Sequence, residues 1–157
     1  MKKKITLLVF SYMIVFLLGL GLGIYLLPIL TAPKSVDIDK IIKLEKNALY
    51  KTLFVKDLKG SDLFHWGEAK VTVSKNEIIV NGTIAPGPDY KLYLTKEFVE
   101  QEEEFLFIKD KSKYIAEVKT FKNFVITIPE NIDINDYNTI VIWCESFSEF
   151  ITAAKYK

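Results

Sequence analysis

The residue types that most often perform chemistry are scarce in this sequence of 157 residues, which contains one cysteine, Cys144, and one histidine, His65. So small a set of sulfur and imidazole ligands excludes zinc ribbons, iron–sulfur clusters and a disulfide framework. Cys144 is the first candidate for chemistry, as a redox thiol, a haem ligand or an intermolecular bridge. His65 is the second, as a haem or metal ligand or a proton carrier.

A structural role for Cys144 stays open beside the chemical one. Ile140, Ile142 and Cys144 point to the same side of a predicted strand, where a free cysteine often fills a core as a small hydrophobic side chain. A reactive thiol needs positive charge nearby, and the sequence neighbours Trp143 and Glu145 supply none.

Another candidate site segment is the stiff run APGPDY, from Ala85 to Tyr90, which we call the proline corner. Its last four residues either form the rigid rim of a binding surface or simply join two strands: Gly87, Pro88, Asp89 and Tyr90. The sequence has no GxSxG, phosphate-loop or HExxH motif, and we expect no metal site.

The charge balance narrows the partners that we expect. All 21 basic residues are lysines, and with 20 acids the formal net charge is +1. Without arginine the chain lacks the planar guanidinium group, which binds a phosphate through two parallel hydrogen bonds. We therefore expect no nucleic-acid partner.

The first 30 residues predict a membrane anchor. Three lysines precede an uncharged apolar run, residues 5–30, that is long enough as a helix to cross the ~30 Å hydrocarbon core and contact lipid. The run is too long for a secretory signal, so we expect an uncleaved anchor with a cytoplasmic N-terminus and a periplasmic or extracytoplasmic domain. Gly19 and Gly23 have GxxxG spacing, which either supports a homodimer or reflects the general abundance of glycine in membrane helices.

Residues 31–49 predict a linker and a short amphipathic helix. Pro33 marks the joint, and the apolar positions from Val36 to Leu49 follow a helical stripe with acids early in the segment. This helix can either pack on the following domain or lie along the membrane surface.

Residues 50–157 predict one all-β domain. Apolar residues alternate with polar ones from Ala69 to Val73, and further segments are rich in valine, isoleucine, threonine and aromatic residues. Seven or eight short strands favour an antiparallel β-sandwich or barrel-like domain. Between Thr95 and Glu104 we expect a helical turn or a loop.

Four stretches of this region resemble the DM13 domain family: LFHWGEAKVTV, GTIAPGPDYKLYLTKEF, KTFKNFVITIP and YNTIVIWCESFSEFITAAKY. The resemblance extends from Leu63 to Lys157, and the single anchor is similar to the short bacterial members. It implies an extracytoplasmic all-β electron-transfer module in which Cys144 is the suspected redox thiol or haem-linked position. Larger members carry haem-binding DOMON domains, so the redox partner of this chain is expected to be a separate protein.

Two hypotheses follow. The first is a membrane-anchored DM13 component of thiol-based or haem-linked electron transfer, with Cys144 as the active group and His65, Trp66 and Trp143 lining its site. A free thiol is favoured over a stable haem because the ligands are few. The alternative is a non-catalytic binding or scaffolding module in which Cys144 is a core residue and the proline corner presents a surface. Under neither hypothesis do we expect a stand-alone enzyme.

Overall fold

The computed structural model describes residues 2–157. The chain begins with a long helix, continues through a short helix, and ends in a domain of eight strands. The helices are α1 (Lys2–Thr31), α2 (Ile38–Leu44) and α3 (Glu102–Ile108). The strands are β1 (Tyr50–Phe54), β2 (Gly67–Val73), β3 (Glu77–Ile84), β4 (Tyr90–Thr95), β5 (Lys113–Val118), β6 (Lys122–Thr127), β7 (Thr139–Cys144) and β8 (Glu149–Lys155).

The strands form two antiparallel four-stranded sheets, ordered β1-β2-β3-β6 and β5-β4-β7-β8. Side chains from both sheets meet in one main core, to which Val71 and Val80 contribute from the first sheet and Leu92 and Ile142 from the second. The alternation of apolar and polar residues directs one face of each strand into this core. The predicted all-β class is confirmed, and the arrangement is a sandwich of two sheets.

A second cluster covers the outer face of the β5-β4-β7-β8 sheet. Phe105 and Ile108 of α3 pack there against Tyr93, Trp143 and their neighbours. Every residue of β7 is consequently buried, because this strand has one face in each cluster. Only a helical turn or loop is predicted between Thr95 and Glu104, whereas α3 begins at Glu102 and runs to Ile108; the burial of its apolar side chains stabilises the longer helix.

The short helix α2 is attached to the domain. Ile41 is fully buried, and α2 packs against β3 and β6. The linker before it is also fixed, because the Val36 backbone N–H donates to the Asn123 carbonyl at 2.8 Å. Of the two predicted placements for the amphipathic helix, the structure has the one on the domain.

Helix α1 is long and apolar enough to cross a membrane, and none of its described side chains is buried by the rest of the chain. Length and composition of this kind are consistent with single-pass anchoring.

Candidate functional site

Strand pairing brings Cys144 to the proline corner. Tyr90 is the first residue of β4 and Cys144 the last residue of β7, and the two are directly opposite in the antiparallel ladder. Opposite residues point to the same face of a sheet, and both side chains belong to the main core. Two sequence segments that are more than fifty residues apart therefore form one end of the sandwich.

Hydrogen bonds hold the proline corner against the turn after β7. The backbone N–H of Glu145 donates to the Asp89 carbonyl at 2.9 Å, and the Ser146 hydroxyl donates to the Asp89 carboxylate at 2.8 Å. Gly87 is required sterically, because an added Cβ would lie 2.4 Å from the Tyr90 hydroxyl. The corner is thus a rigid element that is fixed to the cysteine-bearing turn.

A cavity of about 320 Å³ lies at this end of the sandwich and contains Cys144 in its wall. We call it the thiol cavity. The domain contributes mostly apolar residues, together with one histidine and one acid: Phe64, His65, Pro86, Gly87, Pro88, Tyr90, Phe147, Glu149 and Ile151. Helix α1 supplies a further wall through Gly21, Ile24 and Tyr25. A volume of this size suits a small molecule or the side chain of a partner.

The Cys144 thiol is almost completely shielded from solvent, with 3% of the residue exposed. Burial raises the pKa of this thiol, because the thiolate loses hydration. The backbone N–H groups of Phe147, Asp89 and Ser146 act in the opposite direction on the pKa without cancelling the effect of burial. The sulfur is therefore a neutral thiol at neutral pH.

His65 is oriented by a carboxylate three residues earlier. Its Nδ1 lies 2.9 Å from Oδ2 of Asp62, whose other oxygen accepts the backbone N–H groups of Phe64 and His65. A carboxylate that accepts the Nδ1 proton leaves the lone pair on Nε2. His65 also lines the wall of the thiol cavity, as Cys144 does.

Two aromatic residues predicted to line the site lie elsewhere. Trp143 points to the opposite side of β7 from Cys144 and is buried in the second cluster, because consecutive strand residues alternate. Trp66 stacks beneath the Lys56 ammonium, 4.3 Å from the ring centroid. Neither contributes to the wall of the thiol cavity.

The remaining predicted residues come together. Cys144, His65, Gly87, Pro88 and Tyr90 share the thiol cavity, and Asp89 supports it through the hydrogen bonds to the next turn. Sequence reasoning missed Asp62, Phe64, Phe147 and the α1 residues. The position of Asp62 three residues before His65 is a usable signal, whereas the contribution of α1 depends on tertiary placement.

Residues 2–157 contain no cluster of three or more histidine, cysteine or acidic side chains that could hold a metal ion. The expectation of no metal site stays a prediction.

A family model described as electron transfer DM13 matches residues 53–156. The chain belongs to the DM13 family. The match covers the end of β1, all of β2 to β8, the proline corner and Cys144, whereas α1 and α2 precede it. Comparisons with curated proteins and with solved structures returned no match. Family membership supports a redox-related role for the DM13 domain described here.

Proposed function

We propose that this chain is a membrane-tethered, extracytoplasmic electron-transfer component in which the Cys144 thiol is the redox group. The observation that supports the proposal is the placement of Cys144 and His65 in the wall of one cavity of a DM13 domain. The lysines before the apolar part of α1 favour a cytoplasmic N-terminus, which would place the domain on the other side of the membrane.

The chemistry proposed is thiol–disulfide exchange with a disulfide of a separate partner protein. The Cys144 thiol gives its proton to Nε2 of His65, and the thiolate attacks one sulfur of the partner disulfide. The partner S–S bond breaks while the mixed S–S bond forms, so Cys144 is oxidised and the departing partner sulfur is reduced. That sulfur leaves as a thiolate and takes the proton from His65.

A bound haem fits these residues less well than a free thiol. Cys144, His65 or, as a rarer choice, Tyr90 would have to hold the iron. No lysine lines the thiol cavity to pair with haem propionates, and Glu149 adds a negative charge there. The cavity volume of about 320 Å³ is near the lower limit for small-molecule sites, about 300 Å³. No step of the proposal therefore passes through haem.

The test is the reaction of the native full-length protein with an aromatic disulfide reagent. We expect one equivalent of aromatic thiolate from the wild type and none from Cys144→Ser, because Cys144 is the only cysteine. His65→Gln should slow the reaction about 100-fold, which is the lower end of general-base effects. Trp66→Phe is the control, since Trp66 lies outside the cavity.

The second candidate is a non-catalytic binding or scaffolding module. The burial of Cys144 within the main core favours it. In that case the reagent reacts with Cys144 only after denaturation. Cys144→Ser then lowers the free energy of unfolding by about 1–2 kcal/mol, because it buries a hydroxyl in place of the thiol, and it has no other effect. That pair of results would overturn the thiol proposal.

A further inference from the structure

The length of α1 relates the thiol cavity to the surface of a membrane that this helix would cross. Helix α1 has 30 residues, which corresponds to about 45 Å, whereas the hydrocarbon core is about 30 Å thick. If the lysines at its start lie at the cytoplasmic surface, about twenty residues fill the hydrocarbon, up to Ile24. Tyr25 then lies in the outer interface, where tyrosine is enriched. Gly21 and Ile24, which wall the cavity, lie in the outer leaflet.

Exposed apolar side chains surround the mouth of the cavity. Phe64 and Phe147 line it and are 57% and 53% exposed, and Leu63 beside them is 81% exposed. Phe64 also contacts Tyr25 of α1 edge to face, with ring centroids 6.3 Å apart. A patch of this kind next to an anchor fits contact with lipid.

The interior of the cavity offers one unpaired hydrogen-bond donor. Tyr90 is 3% exposed and lines the cavity, and its hydroxyl makes no hydrogen bond to any residue from 2 to 157. The Tyr90 hydroxyl is not completely enclosed, because the fully buried side-chain atoms without a partner in residues 2–157 are Ser61 Oγ, Trp143 Nε1 and Thr152 Oγ1. Its hydrogen-bonding capacity is therefore open to a molecule in the cavity. A ligand with an acceptor oxygen at this point would satisfy it.

The charges around the cavity favour a ligand whose polar group is uncharged. His65 and Glu149 are its only ionisable side chains of acid or base type, and no lysine from the described residues lines it. A phospholipid phosphate would meet the Glu149 carboxylate without a compensating cation. A neutral ring with carbonyl oxygens and an aliphatic tail matches both the donor and the apolar walls.

We propose that the thiol cavity binds the ring of a membrane-dissolved quinone, with one carbonyl oxygen accepting the Tyr90 hydroxyl and the tail following α1 into the outer leaflet. The inference rests on the tethering and orientation in the proposed function, and it names the class of lipid-soluble electron carrier that the domain meets. The quinone would bind at this site whether or not the thiol–disulfide exchange takes place.

The test uses full-length protein in phosphatidylcholine nanodiscs and a benzoquinone with a ten-carbon tail. Binding above the partitioning into protein-free nanodiscs should saturate at one quinone per chain. Tyr90→Phe should weaken binding about tenfold, the effect of one lost hydrogen bond. Tyr93→Phe is the matched control, because Tyr93 lies on the same strand but faces the second cluster.

A second variant tests the site independently, in case Tyr90→Phe weakens binding through a folding defect. Phe64→Ser removes an exposed ring at the cavity mouth and should weaken quinone binding several-fold. Phe107→Ser, which removes an exposed ring outside the cavity, should leave it unchanged. Equal binding by wild type, Tyr90→Phe and Phe64→Ser overturns the inference. So does complete displacement of the quinone by a water-soluble short-chain phosphatidylcholine, which would identify a general lipid site.

The two proposals can fail separately. Loss of the disulfide reaction with saturable quinone binding retained removes the thiol mechanism and leaves the quinone site. A normal disulfide reaction without saturable quinone binding removes the quinone site and leaves the thiol mechanism.

Discussion

At the scale of single residues, the Cys144 sulfur is subject to two opposing influences. Burial raises the pKa of its thiol, while backbone N–H groups from Phe147, Asp89 and Ser146 favour the thiolate. The neutral thiol is the resting form because burial dominates. The same N–H groups would nevertheless stabilise a thiolate once a proton acceptor removes the proton, and His65 is the acceptor that we propose for this step.

Glu145, directly after the cysteine, directs its charge away from the thiol. Its carboxylate pairs with the Lys109 ammonium at 2.7 Å and accepts the Tyr93 hydroxyl, both on the side of the second cluster. Burial alone would raise the pKa of Glu145, but these two contacts outweigh it and the pKa is lowered. The acid that follows Cys144 in sequence is therefore neutralised by partners of its own.

The raised pKa of Cys144 predicts how alkylation depends on pH. The rate of iodoacetamide reaction with native protein should rise with pH to a midpoint above the range of an ordinary thiol, about 8–9, because the thiolate is the nucleophile. Protein in concentrated urea should give the ordinary midpoint. A native midpoint at or below that of the unfolded chain would contradict the assignment of burial as the dominant influence.

The same shift has a consequence for stability. Below the pKa of the unfolded thiol both states are protonated, and the stabilisation that comes from the raised folded pKa is fully present. As the pH rises from the unfolded toward the folded pKa, the unfolded chain loses its proton first and the free energy of unfolding falls. Cys144→Ser should lack this part of the alkaline decline.

At the scale of elements, local sequence patterns predict the strands well, but they do not predict which helix covers a sheet. The alternating segment from Ala69 to Val73, which is predicted as a strand, lies within β2. Alternation cannot show that α3 covers the outer face of a sheet, since that depends on where Phe105 and Ile108 find apolar partners. For the same reason sequence adjacency placed Trp143 beside the thiol, whereas the pleat directs it to the opposite face.

The site shows the same division between local and tertiary information. The proline corner and Cys144 were each predictable from residue type, and antiparallel pairing of β4 with β7 brings them together. The wall formed by Gly21, Ile24 and Tyr25 was not predictable, because no local pattern states which side of a membrane helix meets its own domain.

Helix α2 offers a prediction with a matched control in the same element. Ile41 is fully buried against the sandwich, whereas Ile42 is 51% exposed. Ile41→Ala should lower the free energy of unfolding by about 2–4 kcal/mol, through lost transfer energy and the cavity left behind, and Ile42→Ala by about 0.5 kcal/mol or less. Denaturant unfolding of full-length protein in detergent, followed by tryptophan fluorescence, measures both. Equal effects would indicate a helix on the membrane surface instead.

At the scale of the whole molecule, α1 presents two different faces. At about 100° per residue, the positions that wall the cavity, Gly21, Ile24 and Tyr25, point to one side of the helix. Gly19 and Gly23 point to roughly the opposite side. An added Cβ at either glycine would meet nothing within 4 Å. The face available to a second anchor is thus the one that the domain does not use.

This arrangement predicts how a homodimer would form and where its cavities would face. Close approach at Gly19 and Gly23 lets two helices pack through small residues, as GxxxG pairs do. Replacing both with isoleucine should reduce the dimer fraction measured by energy transfer between labelled chains in liposomes, by about tenfold in the association constant. Gly21→Ile is the matched control and should leave that constant unchanged, because Gly21 faces the domain. Equal loss of association in both variants would mean that the helix contact does not depend on the face with Gly19 and Gly23. If only the double variant loses association, the two helices pack through that face, and each thiol cavity faces away from the other chain, toward lipid and partner proteins.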